Sequence, residues 1–287
     1  MLSGLLQTWG SWLPRRWRQA PPVKDALWAQ VCGQWPFVRA LAPQDEARLR
    51  ELSAHFLLEK EFHGAHGLTI TDAMALSISA QACLLLLHMR LPDGSRPQQP
   101  ADLLDWYDDF VGIVVQPDTA IARREVIDPS GVVHQYREVL AGEAMERGPI
   151  MLSWHEVSCA GDRAASGRNV VIHEFAHKFD MRDTDHGHGA DGTPPLPPGF
   201  CGYASKAQAR AHWQRTMQTR YECFREAVAM AERFGGPKPW LDDYAATHPA
   251  EFFAVCCEAY GVQRERFGQE MPDLLPLFDG LFRANVR

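Results

Sequence analysis

The chain has 287 residues, 46% of them hydrophobic and 23% charged, with a formal net charge of -7. That length suits one compact unit with a sizeable core, and the composition excludes wholesale disorder. The negative charge argues against a nucleic-acid binder, which would normally present a basic face to phosphates.

The chain opens on the apolar "MLSGLLQTWGSWL", and the one basic cluster, "PRRWR" at 14 to 18, follows it. A secretory signal has the reverse order, so residues 1–22 read as a loosely attached, partly amphipathic arm and 23–287 as a single domain. Helical periodicity dominates 44 to 90, first in "PQDEARLRELSAHFLLEKEF" and then in "TITDAMALSISAQACLLLLHM". The apolar run in the second is broken by Ser79, Gln81 and His88 and is too short to span a bilayer, so a core helix is expected. "PDGSRPQQP", 92 to 100, reads as a loop. β-type runs follow in "FVGIVVQP", in "REVIDPSGVVHQYREVL" with a turn at Asp128 to Gly131, and in "GPIMLSWHEV", 148 to 157. As an edge strand this last run would offer unpaired backbone groups to an extended peptide; as an interior strand it would not.

Beyond it lie "NVVIHEFAHKFDMRD" at 169 to 183, the irregular loop 186–200, and further helical segments including "YAATHPAEFFAVCCEAYGV". Helices, then hairpin-like strands, then helices predict an α+β fold: a mostly helical body with a small mixed or antiparallel sheet beside the motif helix. The seven cysteines form no C-x-x-C pair and are expected to be reduced core residues of a cytoplasmic protein.

The H-E-x-x-H motif carries the chemistry. On a helix, residues four apart share a face about 6 Å apart along the axis, so the imidazoles of His173 and His177 can converge on one cation. Glu174 falls beside the pair without sharing its direction, where a base acting on a metal-activated water belongs. Val170, Val171, Ile172, Phe175, Ala176 and Phe179 would bury this helix on most sides, and a buried glutamate with two buried histidines is costly without a partner. A catalytic zinc needs a third protein ligand. Asp183 would complete a short-spacer pattern, although Asp180 stands where that pattern has glycine. His186 and His188 are loop candidates, and Glu251 opens a second apolar helix just after Pro249.

"VIHEFAHKFDMRD" together with "YAATHPAEFFAV" resembles the Mlc titration factor A family of zinc metallopeptidases and, more distantly, the catalytic domain of anthrax lethal factor. The likeness takes in "GLTITDAMALSISAQACLLLL", "WYDDFVGIVVQP" and "GPIMLSWHEV", most of residues 55 to 265. It implies a zincin-like metallopeptidase fold with one zinc held by His173, His177 and Glu251. Glu174 would be the catalytic base, and Tyr244, seven residues before Glu251, a donor to the transition state. It also implies a peptide or protein substrate, cut as by an aminopeptidase or internally. A further partner would be a transcriptional repressor of the Mlc type, which makes a sequestering protein with marginal hydrolysis the alternative. Lethal factor carries a second glutamate four residues after its third ligand where this chain has Val255, and Glu258 is not an obvious replacement.

Overall fold

The computed structural model describes residues 19–33, 35–118, 120–127, 133–140, 142–144, 148–182 and 191–285. In chain order the elements are α1 (Asp25–Val31), α2 (Pro36–Arg39), α3 (Pro43–Glu59), β1 (Glu61–Gly64), α4 (Asp72–Leu84), β2 (Gly112–Gln116), β3 (Ala120–Ile127), β4 (Val133–Leu140), β5 (Gly142–Ala144), β6 (Ile150–Ser153), α5 (Trp154–Ser158), α6 (Ala160–Arg163), α7 (Val170–Asp180), α8 (Lys206–Phe234), α9 (Pro249–Glu270) and α10 (Leu275–Phe282). This is the mostly helical α+β arrangement expected from the sequence. None of its described helices is long and apolar enough to cross a membrane.

The main sheet is mixed, in the order β1-β2-β6-β5, with β3 and β4 forming a separate antiparallel hairpin. β1 runs parallel to β2 and β2 parallel to β6, while β5 is antiparallel to β6. Two sequence expectations change here. The segment "KEF", 60 to 62, does not continue the helix before it. The Lys60 ammonium donates to the carbonyls of Tyr107 and Phe110, and Glu61 N donates to the Val111 carbonyl, which turns the chain into β1. The run at 148 to 157 is not an edge strand. β6 is paired on both sides, so it has no free ladder for a peptide, and the edge on that side is β5. The turn expected at 128 to 131 lies outside the described residues.

Burial alternates in β2 and at the start of β6. Ile113, Val115, Ile150 and Leu152 are fully buried, with Ile113 opposite Ile150 and Val115 opposite Leu152. α7 packs against α9, α4 and β5. Its Phe175 and Phe179, one turn apart, enter an aromatic cluster with Phe56 of α3, Trp106 and Tyr107. Phe175 lies 4.8 Å from Tyr107 and 5.7 Å from Phe56, centroid to centroid, and Phe179 lies 5.5 Å from Trp106. These rings hold one side of the helix and so fix where its other side points. Phe175→Ala is expected to cost about 3–5 kcal/mol of unfolding free energy, read as a lower midpoint in guanidinium denaturation.

Of the seven cysteines, all unpaired, Cys32, Cys83, Cys256 and Cys257 are buried as expected. Cys159 is half-buried, and Cys201 and Cys223 are exposed, so these three are not core residues.

Candidate metal centre

α7 begins where the Asn169 side-chain oxygen accepts from Ile172 N at 3.0 Å, an N-cap that sets the helix start and with it the direction of His173. α9 begins in the same way, with the His248 ring nitrogen Nδ1 accepting from Ala250 N and Pro249 at the first helical position. Glu251 therefore sits in the first turn of α9, where the positive end of the helix dipole favours a carboxylate.

The two helices bring three donors together. His173 Nε2 lies 3.0 Å from Glu251 Oε2, His177 Nε2 lies 3.3 Å from the same oxygen, and the two Nε2 atoms are 3.3 Å apart. His177 is buried, and His173 and Glu251 are half-buried. Burial works against a charged His173, but its hydrogen bonds to Glu251 and Glu258 outweigh that and hold its pKa well above the usual histidine value. Burial alone would raise the Glu251 pKa too, yet the two imidazoles hold it well below the usual carboxylate range. Both directions describe a pocket that favours positive charge at its centre. Glu174 is buried beside it, and burial pushes its carboxyl up to about 7 against the opposing pull of His173 and His177. A carboxyl poised near neutrality suits proton transfer.

Tyr244 is half-buried in the short 3₁₀ turn Asp243–Ala246, which Asp242 caps by accepting from Tyr244 N at 3.1 Å. Its ring centroid lies 6.1 Å from that of His173. The five site residues expected from the sequence thus lie on α7, the start of α9 and the turn just before it. Asp183, His186 and His188, the other third-ligand candidates, lie outside the described residues. Asp180 has another task. Its carboxylate accepts from Gly192 N and Thr193 N, both at 2.8 Å, and so ties the chain after the 186–200 loop's first residues to the end of α7. Gly192 has φ +80°, and a Cβ there would meet the Pro249 carbonyl at 2.9 Å, so only glycine fits that approach.

One residue in contact with the site is not singled out by the sequence. Glu258 is buried, with Oε1 2.7 Å from His173 Nδ1, and its Oε2 accepts from Asn169 N. Val255, at the position compared with lethal factor, packs in the core instead. The signal was present: 251 and 258 are seven apart, two helical turns, which places both carboxylates on one face of α9.

The sequence pattern of the glucose-regulated metallo-peptidase M90 family matches residues 9–283. The chain belongs to this family. Mlc titration factor A of Escherichia fergusonii is 29% identical over 265 residues, covering 92% of this chain and 86% of that protein. The protein of the same name from Salmonella gallinarum is 30% identical over 259 residues, 88% and 86% of the two chains. That from Klebsiella pneumoniae is 29% identical over 243 residues, 85% and 80%.

A metallo-peptidase of the M90 family calls for a metal ion, and the donor set can be tested against one. Metal–ligand bonds of about 2.0–2.1 Å in a tetrahedral site separate neighbouring ligand atoms by roughly 3.3 Å. The three separations here are 3.0, 3.3 and 3.3 Å. The chemistry agrees with the distances. With Glu258 accepting the Nδ1 hydrogen of His173, a cation that displaces the hydrogen between Nε2 and Glu251 would meet two imidazole nitrogens and a carboxylate oxygen, all groups able to offer it an electron pair. The residues of this M90 chain fit a divalent cation.

Proposed function

We propose that the chain is a zinc-dependent peptidase acting in the cytoplasm, with His173, His177 and Glu251 as metal ligands and Glu174 and Tyr244 as catalytic residues. The observation that carries this reading is the convergence of His173, His177 and Glu251, whose ligand atoms all lie within 4.8 Å of one another. The unpaired state of all seven cysteines supports the compartment.

Zinc held by these three residues would supply Lewis acidity and lower the pKa of a coordinated water from 15.7 towards about 7. Glu174 accepts the proton of the attacking water and returns it to the leaving amine nitrogen as the C–N bond breaks. The low dielectric around it strengthens that exchange. Tyr244 donates its phenolic hydrogen to the oxygen of the attacked carbonyl as charge develops there, an interaction stronger in the transition state than in the ground state. Tyr244→Phe should therefore keep full zinc content and a near-normal KM for a fluorogenic peptide while kcat falls roughly a hundred- to a thousand-fold. A kcat within about a factor of two of wild type would make Tyr244 structural.

Chelation followed by metal return tests the reading as a whole: hydrolysis should stop on chelation and return with zinc. Hydrolysis that survives full removal of the metal would overturn it.

A second reading is favoured by the relatives, whose name says that they titrate Mlc. In that reading the same fold grips a transcriptional repressor of the Mlc type and hydrolysis is marginal. Capture of such a repressor by the Glu174→Gln protein, together with negligible peptide turnover by wild type, would favour it.

A further inference from the structure

The polar residues of α4 sit in a largely buried helix. Ser77 and Gln81 are 4% and 1% exposed among Leu76, Ile78, Ala80 and Cys83. Polar atoms there are costly unless every one is paired. Gln81 Nε2 donates to the Ser77 carbonyl at 3.0 Å and to its hydroxyl at 3.1 Å, which turns Gln81 Oε1 towards Asn169 Nδ2 at 2.9 Å. The Asn169 side chain, its donor engaged there, gives its oxygen to Ile172 N. Asn169 N is left as the donor for Glu258 Oε2, and Glu258 Oε1 stands 2.7 Å from His173 Nδ1. One buried chain of hydrogen bonds thus runs from α4 through the N-cap of α7 and across α9 to the outer nitrogen of His173.

We propose that Glu258 and Gln81 are positioning residues that hold His173 as its Nδ1–H tautomer, with the Nε2 lone pair aimed at the metal. This rests on the zinc reading above. A neutral imidazole carries its hydrogen on either nitrogen, and only the Nδ1–H form leaves Nε2 free to coordinate. Glu251 and Glu258 face the two ring nitrogens, and once a cation takes the place of the hydrogen between Nε2 and Glu251, Glu258 keeps the remaining hydrogen on Nδ1; its negative charge also raises the basicity of the ligand nitrogen. Gln81 acts one step further out. It fixes the Asn169 amide, which fixes where the Asn169 backbone N–H points, which in turn fixes the rotamer of Glu258. The polar break in the apolar run of α4 is therefore part of the metal site, although it lies far from the motif in sequence.

The test reads metal binding and not turnover. Zinc affinity is measured by competition with a chromophoric chelator, with circular dichroism as the check of fold. Glu258→Gln should weaken zinc binding on the order of 10- to 100-fold, the usual cost of losing an outer partner. Gln81→Met should weaken it in the same direction, and the double variant should lose less than the product of the two single losses, because both act on one atom. Independently of any variant, ¹⁵N-histidine NMR of the zinc-loaded wild type should find His173 protonated on Nδ1 and coordinated through Nε2. Wild-type affinity in both folded variants would overturn the positioning role, and so would a His173 that carries its hydrogen on Nε2. A wild-type protein that takes up no zinc would overturn the underlying zinc reading along with this one.

Discussion

Glu174→Gln is expected to reduce peptide hydrolysis by roughly a hundred- to ten-thousand-fold, the range set by loss of a general base, while zinc stays in place. The substitution keeps the size of the side chain and removes the group that takes the proton. Glu174 is buried, 4% exposed, so no bulk water stands ready to replace it. The structural cost should be small. Burial already pushes this carboxyl up to about 7, and a neutral amide in its place avoids the desolvation that raises it. The check is a progress curve with a fluorogenic peptide, run beside a metal assay on the same sample. Full hydrolysis by the variant would remove Glu174 from the mechanism, and loss of zinc would make it a ligand.

Glu251→Ala should weaken zinc binding by more than the roughly 10- to 100-fold expected for an outer partner, since it removes one of three protein donors. It also leaves two imidazole nitrogens 3.3 Å apart without the carboxylate that both now face. Asp183→Ala, by contrast, should leave zinc binding intact. Competition titration of both variants separates the two ligand sets that the sequence left open, and the reverse pattern would transfer the third position to the short-spacer pattern.

The motif helix was legible because its two periodicities are written in adjacent residues. Phe175 and Phe179 repeat on the buried side and His173 and His177 on the other, each pair one turn apart. Glu251 was legible only through resemblance, because helix packing and not spacing brings α9 beside α7. Glu258 was passed over for a different reason. The resemblance points to position 255, four after Glu251, whereas the contact to His173 is made from seven after it, which depends on how far along α9 the two helices cross. Gln81 read as an interruption of a core helix, since its partner Asn169 lies across the fold.

The strands show the same division between local and long-range information. The apolar alternation of β2 and β6 gave both segments a strand reading. That β6 is an interior strand is decided by β5, a three-residue strand too short to announce itself. β1 was hidden inside helix-forming residues. Its start is set by where Lys60 finds its carbonyl partners and by pairing with β2, and neither is local.

The central claim, that two helices of this chain build a zinc site from His173, His177 and Glu251, is tested most directly by counting metal. Wild-type protein stripped with a chelator and dialysed against zinc should return to one tightly held zinc ion per chain, at the one such three-residue cluster among the described residues. Folded protein that stays free of zinc after reloading would contradict it.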